Sequence, residues 1–445
     1  MPLAASSLLP LTAALAAVLL FQAGGRMRWT STQTLLLAAL LFVPDVVSTA
    51  TFGLHVTWSA GLTWSNFVVP GLAIPLLAGA WWTGKWPLPS RWPPLAAGML
   101  LLLVWSVMTL LPPAIGGELR AAGGLTILEH AAKLALFLIL GAVLAWGDEA
   151  WIRRAALLLL AAVAVNAAVG LAQAAGWLSV FSPLADQSQG ARATGLFYDA
   201  NMYATLMAWA LVWLLCQTPR AGRRAAWLLF TVAVAGSLAA AGSRAGFLAL
   251  GAGIAVLLAA GQTRAVARAA LLLGLLVLCF PLRTGQRIQA AADSLAAFLA
   301  PAPVAAAPLD ASTGEHLRSL TQAWQVAEQH PWLGVGYGRA LYLGLPAGGN
   351  GPVAATATVF RGAQDMPLTV LAETGPVGLG LLLMAVLAPL ARRRRLPLAL
   401  AAGYVGVLAA ALTQETLWNT RLLAIAVIVT GLAWPVHSAP EGGTV

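Results

Sequence analysis

Two arginines stand where an apolar chain tolerates them least. Arg192 lies in GARATGLFYDANMYA at the head of an apolar run, just before Gly195, Tyr198, Asp199 and Asn201; Arg244 lies in AAGSRAGFLAL, in the short break between two such runs. An ionisable side chain at the centre of a membrane-crossing helix costs about 2.5 to 3.5 kcal/mol on insertion scales, so each needs a purpose that offsets it. A guanidinium offers a planar fork of donors that grips carboxylate or phosphate oxygens in pairs. Two of them without a matching Lys or Glu nearby point to an anionic ligand. The structural alternative pairs Asp199 with Arg192 and lets Arg244 reach water along its aliphatic stem.

Tyr198, Asn201, Arg318, Arg339 and Arg361 join them as candidate ligand contacts. Glu129, His130 and Lys133 read differently: they lie on adjacent helical turns, and Glu129 can pair with Lys133 at i, i+4, an internal structural pair. Cys216 and Cys279 sit at the ends of apolar runs with no CxxC spacing, and His55, His130, His316, His330 and His437 form no i, i+4 pair. No metal or cofactor is expected.

The elements that must hold these residues are membrane helices. The chain of 445 residues is 60% apolar and 9% charged, which excludes a water-soluble globule, and no nucleic-acid partner is expected. Apolar spans are predicted at about 3–21, 33–54, 60–80, 94–112, 126–146, 155–177, 196–216, 225–241, 245–260, 269–283, 367–390, 396–413 and 420–436. The expected fold class is therefore an all-α polytopic membrane protein with about 12–13 transmembrane helices. MPLAASSLLP lacks a basic signal-peptide n-region, so the first span is expected to be kept.

Basic clusters follow every second span: Arg26 and Arg28; Lys85 and Arg91; Arg153 and Arg154; Arg220, Arg223 and Arg224; Arg264 and Arg268; Arg392 to Arg395. The positive-inside rule makes these loops cytoplasmic and turns the long segment near 284–366 outward. The expected organisation is residues 1–190 as N-terminal spans, 191–283 as spans carrying the arginine motifs, 284–366 as the outward loop, and 367–445 as C-terminal spans with a short tail.

Within the outward loop, LAPAPVAAAPLDA at 299–311 is rich in helix breakers and reads as irregular. Ser312 and Thr313, preceding Glu315, read as an N-terminal cap, and Leu317, Leu320, Trp324 and Ala327 make one apolar stripe. An amphipathic helix over about 314–329 is predicted, on the membrane surface or over the bundle, ended by His330-Pro331. HPWLGVGYGRALYLG then places Gly334, Gly336 and Gly338 at alternate positions. That pattern reads either as tight turn packing or as a loop lining an outward cavity with Arg339 as its charge; it follows no strand-then-helix unit and is no nucleotide site.

Arg192 with Gly195 and Asn201, then Ser243-Arg244-Ala245-Gly246, then HPWLGVGYG, then AETGPVGLG running into a span, resemble in order and spacing the blocks of the O-antigen ligase and polymerase superfamily, which includes bacterial O-linked oligosaccharyltransferases. The resemblance covers roughly 190–390. It implies an inverting, metal-independent glycosyltransferase of the bacterial inner membrane, multi-pass, with its active site on the periplasmic side. The implied partners are an undecaprenyl-diphosphate-linked glycan donor, a lipid A core or other glycan acceptor, and the lipid bilayer; in polymerases the acceptor is a second lipid-linked repeat, in protein-modifying relatives a Ser or Thr hydroxyl. The family's arginines hold the diphosphate, a role that carries over to Arg192 and Arg244.

The chain departs from that pattern at one position. The ligase frame has a histidine, then Asn, Ser or Gln, and, after nine residues, a glycine; counted back from Gly375 and Gly378 it puts Gln364 at the histidine and Asp365 next to it. A glutamine accepts no proton at neutral pH. Three readings stay open: a replacement at 364 that inactivates the protein and traps substrate, Asp365 as the base, or catalysis by positioning alone, as in the polymerase branch where that histidine is less regular. His316 and His330 do not fit the frame and read as surface residues.

A transporter of lipid-linked or anionic substrates is the rival class, but two related halves with paired broken helices are not found. A channel needs rings of like charge from an oligomer, and a scaffold has no use for charge inside the bilayer.

Overall fold

The computed structural model describes residues 37–38, 41–42, 93–115, 149–179, 192–197, 199–279, 311–337, 365–391, 396–414 and 420–432. All regular structure among them is helical: α1 Pro94–Ile115, α2 Glu149–Ala174, α3 Ala200–Cys216, α4 Arg224–Ala241, α5 Arg244–Ala259, α6 Thr263–Cys279, α7 Ala311–Gln329, α8 Met366–Ala391, α9 Leu398–Ala411 and α10 Thr420–Leu432. The protein is an all-α polytopic membrane protein. Among the described residues four stretches, Pro94–Leu111, Arg154–Ala174, Ala221–Ala241 and Met366–Ala391, are long and apolar enough to cross a bilayer, and shorter apolar helices fill the bundle between them. The spans expected at 3–21, 60–80 and 126–146, most of 33–54, and the trio Glu129, His130 and Lys133 lie outside the described residues.

Helix α3 is the axis of the bundle. Its sequence is apolar on every face, and its buried residues from Ala200 to Leu215 run around the whole circumference. Helices α4, α5 and α9 pack on it. Lipid tails give apolar side chains no drive to associate, so membrane helices gain cohesion by close backbone approach at small residues. Gly406 of α9 lies against the carbonyl of Ala249 in α5, and Gly253 of α5 lies against Val212 of α3 and the Ala402 carbonyl. The Tyr404 hydroxyl donates to Val386 O at 3.0 Å and ties α9 to α8.

The two ends of α3 carry different charge devices. At its C-terminus, Arg268 Nη1 donates to Leu215 O at 2.9 Å and Gln217 O at 2.8 Å, with its guanidinium 5.5 Å from the Trp227 ring centre. A cation on the last carbonyls complements the helix dipole. The N-terminus of α3 lies at the Arg192 end, where α4 finishes and α5 begins.

Helix α8 is interrupted at Gly375, whose φ of 69° and ψ of −174° only glycine adopts readily. Pro376 follows and has no N–H to give Ala372 O. The freed carbonyls are satisfied from elsewhere: Val335 N–H donates to Ala372 O at 3.0 Å, Gly336 N–H to Glu373 O at 2.9 Å, and Trp105 Nε1 of α1 to Thr374 O at 2.9 Å. Non-helical backbone at membrane depth survives only where protein takes up its polar groups in this way. Of the two readings of HPWLGVG, tight turn packing is therefore what Gly334 and Gly336 display. Gly338 and Arg339 are outside the described residues.

Helix α7 lies over the bundle, with Ala323, Val326 and Ala327 packed on Leu368, Leu371 and Ala372 of α8. Two expectations need correction here. Trp324 does not share the buried face with Ala327: it is 53% exposed and its Nε1 donates to Glu328 at 2.7 Å. The small Ala323 and Ala327 take the buried face against α8. The helix also begins at Ala311, so Ser312 and Thr313 lie inside its first turn and are not its cap.

Candidate functional site

The Arg192 end is built by three helix termini meeting around one amide. Helix α4 stops at Gly242, which adopts the left-handed conformation at φ 54° and ψ 37°. Ser243 then caps α5, its Oγ accepting from Gly246 N–H at 3.2 Å. The same hydroxyl donates to Asn201 Oδ1 at 2.7 Å. Arg192 Nη2 donates to that oxygen as well, at 3.2 Å, and Arg192 Nε donates to Ala241 O at 2.7 Å. Arg192, Asn201 and Ser243 thus form one hydrogen-bonded unit, and Arg244 is the next residue along.

Arg244 was expected in the turn between two spans; it is the first residue of α5. Ser243 takes the capping position, as its side chain suits it to do. Both Arg192 and Arg244 are half-buried. Asp199, the alternative partner of Arg192, caps α3: its Oδ1 accepts from Asn201 N–H at 2.7 Å and Met202 N–H at 3.3 Å. With Asp199 taking up the first N–H groups of α3, it is the two guanidinium groups and the N-terminus of α5 that make this end suited to a further negative charge.

The segment carrying Arg192 is held from behind by α2. Gln173 Oε1 accepts from Thr194 N–H and Gly195 N–H, both at 2.9 Å, and Gln173 Nε2 donates to Gly195 O at 3.1 Å. Asn166 Oδ1 accepts from Leu196 N–H at 3.0 Å. Both amides are buried, at 1% exposure for Asn166 and 5% for Gln173. Sequence reasoning passed over them. The signal was present: two amides inside an apolar run, spaced so that they share one helix face.

At the head of α8, Asp365 is half-buried and its Oδ1 accepts from Leu368 N–H at 2.9 Å. Burial pushes the pKa of its carboxyl up from the ordinary value, against the lowering effect of that hydrogen bond. Further along, Glu373 is 3% exposed beside the Gly375 break. It too was legible as an ionisable residue within an apolar run, and was missed.

Gln364, Tyr198, Arg339 and Arg361 lie outside the described residues; Arg318 falls in α7, but its side chain is not among those described. Among the described residues no group of three His, Cys, Asp or Glu side chains stands close enough to hold a metal ion.

A sequence model of the O-antigen ligase family matches residues 228–383. The matched stretch contains Arg244, the 331–337 loop, Asp365 and the Gly375 break, whereas Arg192, Asn201, Asn166 and Gln173 precede it. No curated protein matches the chain.

Proposed function

From the premise that residues 228–383 form an O-antigen ligase domain, we propose that the protein is an inverting glycosyltransferase working at the periplasmic face of the bacterial inner membrane. It takes a glycan from undecaprenyl diphosphate and transfers it to an acceptor hydroxyl, in the first instance on lipid A core. The observation that carries this reading is the unit joining Arg192 through Asn201 to Ser243, which brings two cationic segments to one end of the bundle.

The acceptor oxygen attacks the anomeric carbon opposite the diphosphate, the bond to the diphosphate oxygen breaks, and its electron pair leaves with the phosphate. Negative charge grows on a group already bound beside the bilayer. Guanidinium groups fixed there beforehand stabilise that charge without reorganising, and one such donor is typically worth about 3 to 4 kcal/mol. A diphosphate departs without a general acid, so the remaining task is to take the acceptor proton. Asp365 is the base in this reading, supported by its place at the head of α8 and by a half-buried carboxyl that burial makes more basic than usual. Gln364, the preceding residue in sequence, is given the role of orienting the acceptor.

Gln364 at the frame's histidine position favours a second reading, an O-antigen polymerase in which the acceptor is another lipid-linked repeat. The test is transfer by the purified protein from an undecaprenyl-diphosphate glycan offered lipid A core, a second donor lipid or a protein acceptor. Product with core supports ligation, elongated donor supports polymerisation, and modified protein supports an oligosaccharyltransferase. Uptake into liposomes with no product in any mixture contradicts a transferase.

A further inference from the structure

Four hydrogen bonds join the side chains of Asn166 and Gln173 to the backbone between Thr194 and Leu196. Each amide replaces a partner that the segment would otherwise find in a helix or in water. Gly195 sits at φ 57° in the middle, and a methyl group there would strike the Tyr203 ring and Asn166 Oδ1. The segment is therefore non-helical, buried and without a regular ladder of its own. Its backbone polar groups are covered by two side chains from α2, while Ala193 N–H donates to Ala240 O at 3.3 Å.

An amide at this depth is costly unless satisfied, and apolar residues would serve a mere helix contact better. Asn166 is itself anchored, its Nδ2 donating to Ala162 O at 2.9 Å, so the acceptor it presents to Leu196 is fixed in direction. Arg192 begins this segment, and its guanidinium is aimed by the Ala241 carbonyl and Asn201. Backbone position is set from one side and fork direction from the other.

We propose that Asn166 and Gln173 are positioning residues that hold the Arg192 guanidinium in register with a lipid-linked diphosphate. The inference rests on the phosphate-binding role given to Arg192 above. Misplacement of a positioned group by an ångström can cost about 100-fold in rate, so loss of the splint is felt at the ligand with Arg192 still present.

The test measures affinity for purified undecaprenyl diphosphate in detergent, with gel filtration and thermal unfolding as controls on folding. Gln173→Leu is expected to weaken binding about 10-fold, and Gln173→Glu, whose neutral carboxyl can accept from Thr194 and donate to Gly195, is expected to restore most of it. In an Arg192→Ala background, Gln173→Leu should add no further loss, because the splint acts through Arg192. Unchanged binding in Gln173→Leu overturns the inference. So does an equal loss in both backgrounds, which marks a general structural role. Unchanged binding in Arg192→Ala alone instead removes the phosphate-binding role, and the inference with it.

Discussion

The Ser243 hydroxyl and Asn201 Oδ1 are 2.7 Å apart, and through that bond the start of α5 is fixed to the start of α3. Both residues also serve their local elements, Ser243 as the cap of α5 and Asn201 in the first turn of α3. Because the same Asn201 oxygen takes Arg192 Nη2, a change at any member is felt by the others.

Ser243→Ala removes the α5 cap and one of the two donors on Asn201. The expected cost is about 1 to 2 kcal/mol of stability, read as a lower thermal midpoint in detergent, with transfer activity falling further than the midpoint accounts for. Ser243→Thr, which keeps the hydroxyl, should stay near the parent. Equal behaviour of the two variants would contradict the shared network.

Gly375→Ala places a side chain in a conformation essentially reserved for glycine and drives it into the Trp332 carbonyl. A loss of about 1 to 3 kcal/mol is expected from the backbone alone, with more from the collision. Gly334, at φ 65° and facing the Glu373 carbonyl, should be equally intolerant. Thermal unfolding checks both; unchanged midpoints would mean that the loop does not seat on the break in α8.

Asp365 must be ionised to accept a proton, and burial raises its pKa, so the acid limb of the rate profile should lie above the ordinary value of about 3.9. The rate then rises with pH through that limb. Stability from this group runs the other way: its folded pKa is raised, so the contribution is greatest at low pH and is lost as pH climbs through the folded value. Asp365→Asn should abolish the limb and most of the turnover. A profile unmoved by the substitution would exclude Asp365 as the base.

Gln364→His restores a titratable group at the frame position. A gain in turnover with a new limb near pH 6 to 7 is expected if the glutamine replaces a proton acceptor, following the usual imidazole pKa of about 6.5. No gain favours Asp365 as the base or catalysis by positioning alone.

Much of this architecture was written in hydropathy. The runs predicted at 225–241, 245–260 and 367–390 emerge as Arg224–Ala241, Arg244–Ala259 and Met366–Ala391, since a helix in lipid is defined by its own apolar length. Arg192 and Arg244 were visible because charge in such runs is rare. What stayed hidden depends on partners distant in sequence. Nothing near Gly375 says that its freed carbonyls meet Val335, Gly336 and Trp105, and nothing near Trp324 says that Ala323 and Ala327 are the residues that face α8. Asn166 and Gln173 looked like minor interruptions of a span until the segment they cover was in place.

The central claim is that Arg192 and Arg244 stabilise a departing lipid diphosphate. The direct measurement is glycan transfer from purified undecaprenyl-diphosphate donor by Arg192→Ala and Arg244→Ala, with membrane insertion and protein level monitored in parallel. Each variant is expected to insert normally and to lose about 100- to 1,000-fold in turnover, the size typical of removing one preorganised donor. Parental turnover in both would contradict it.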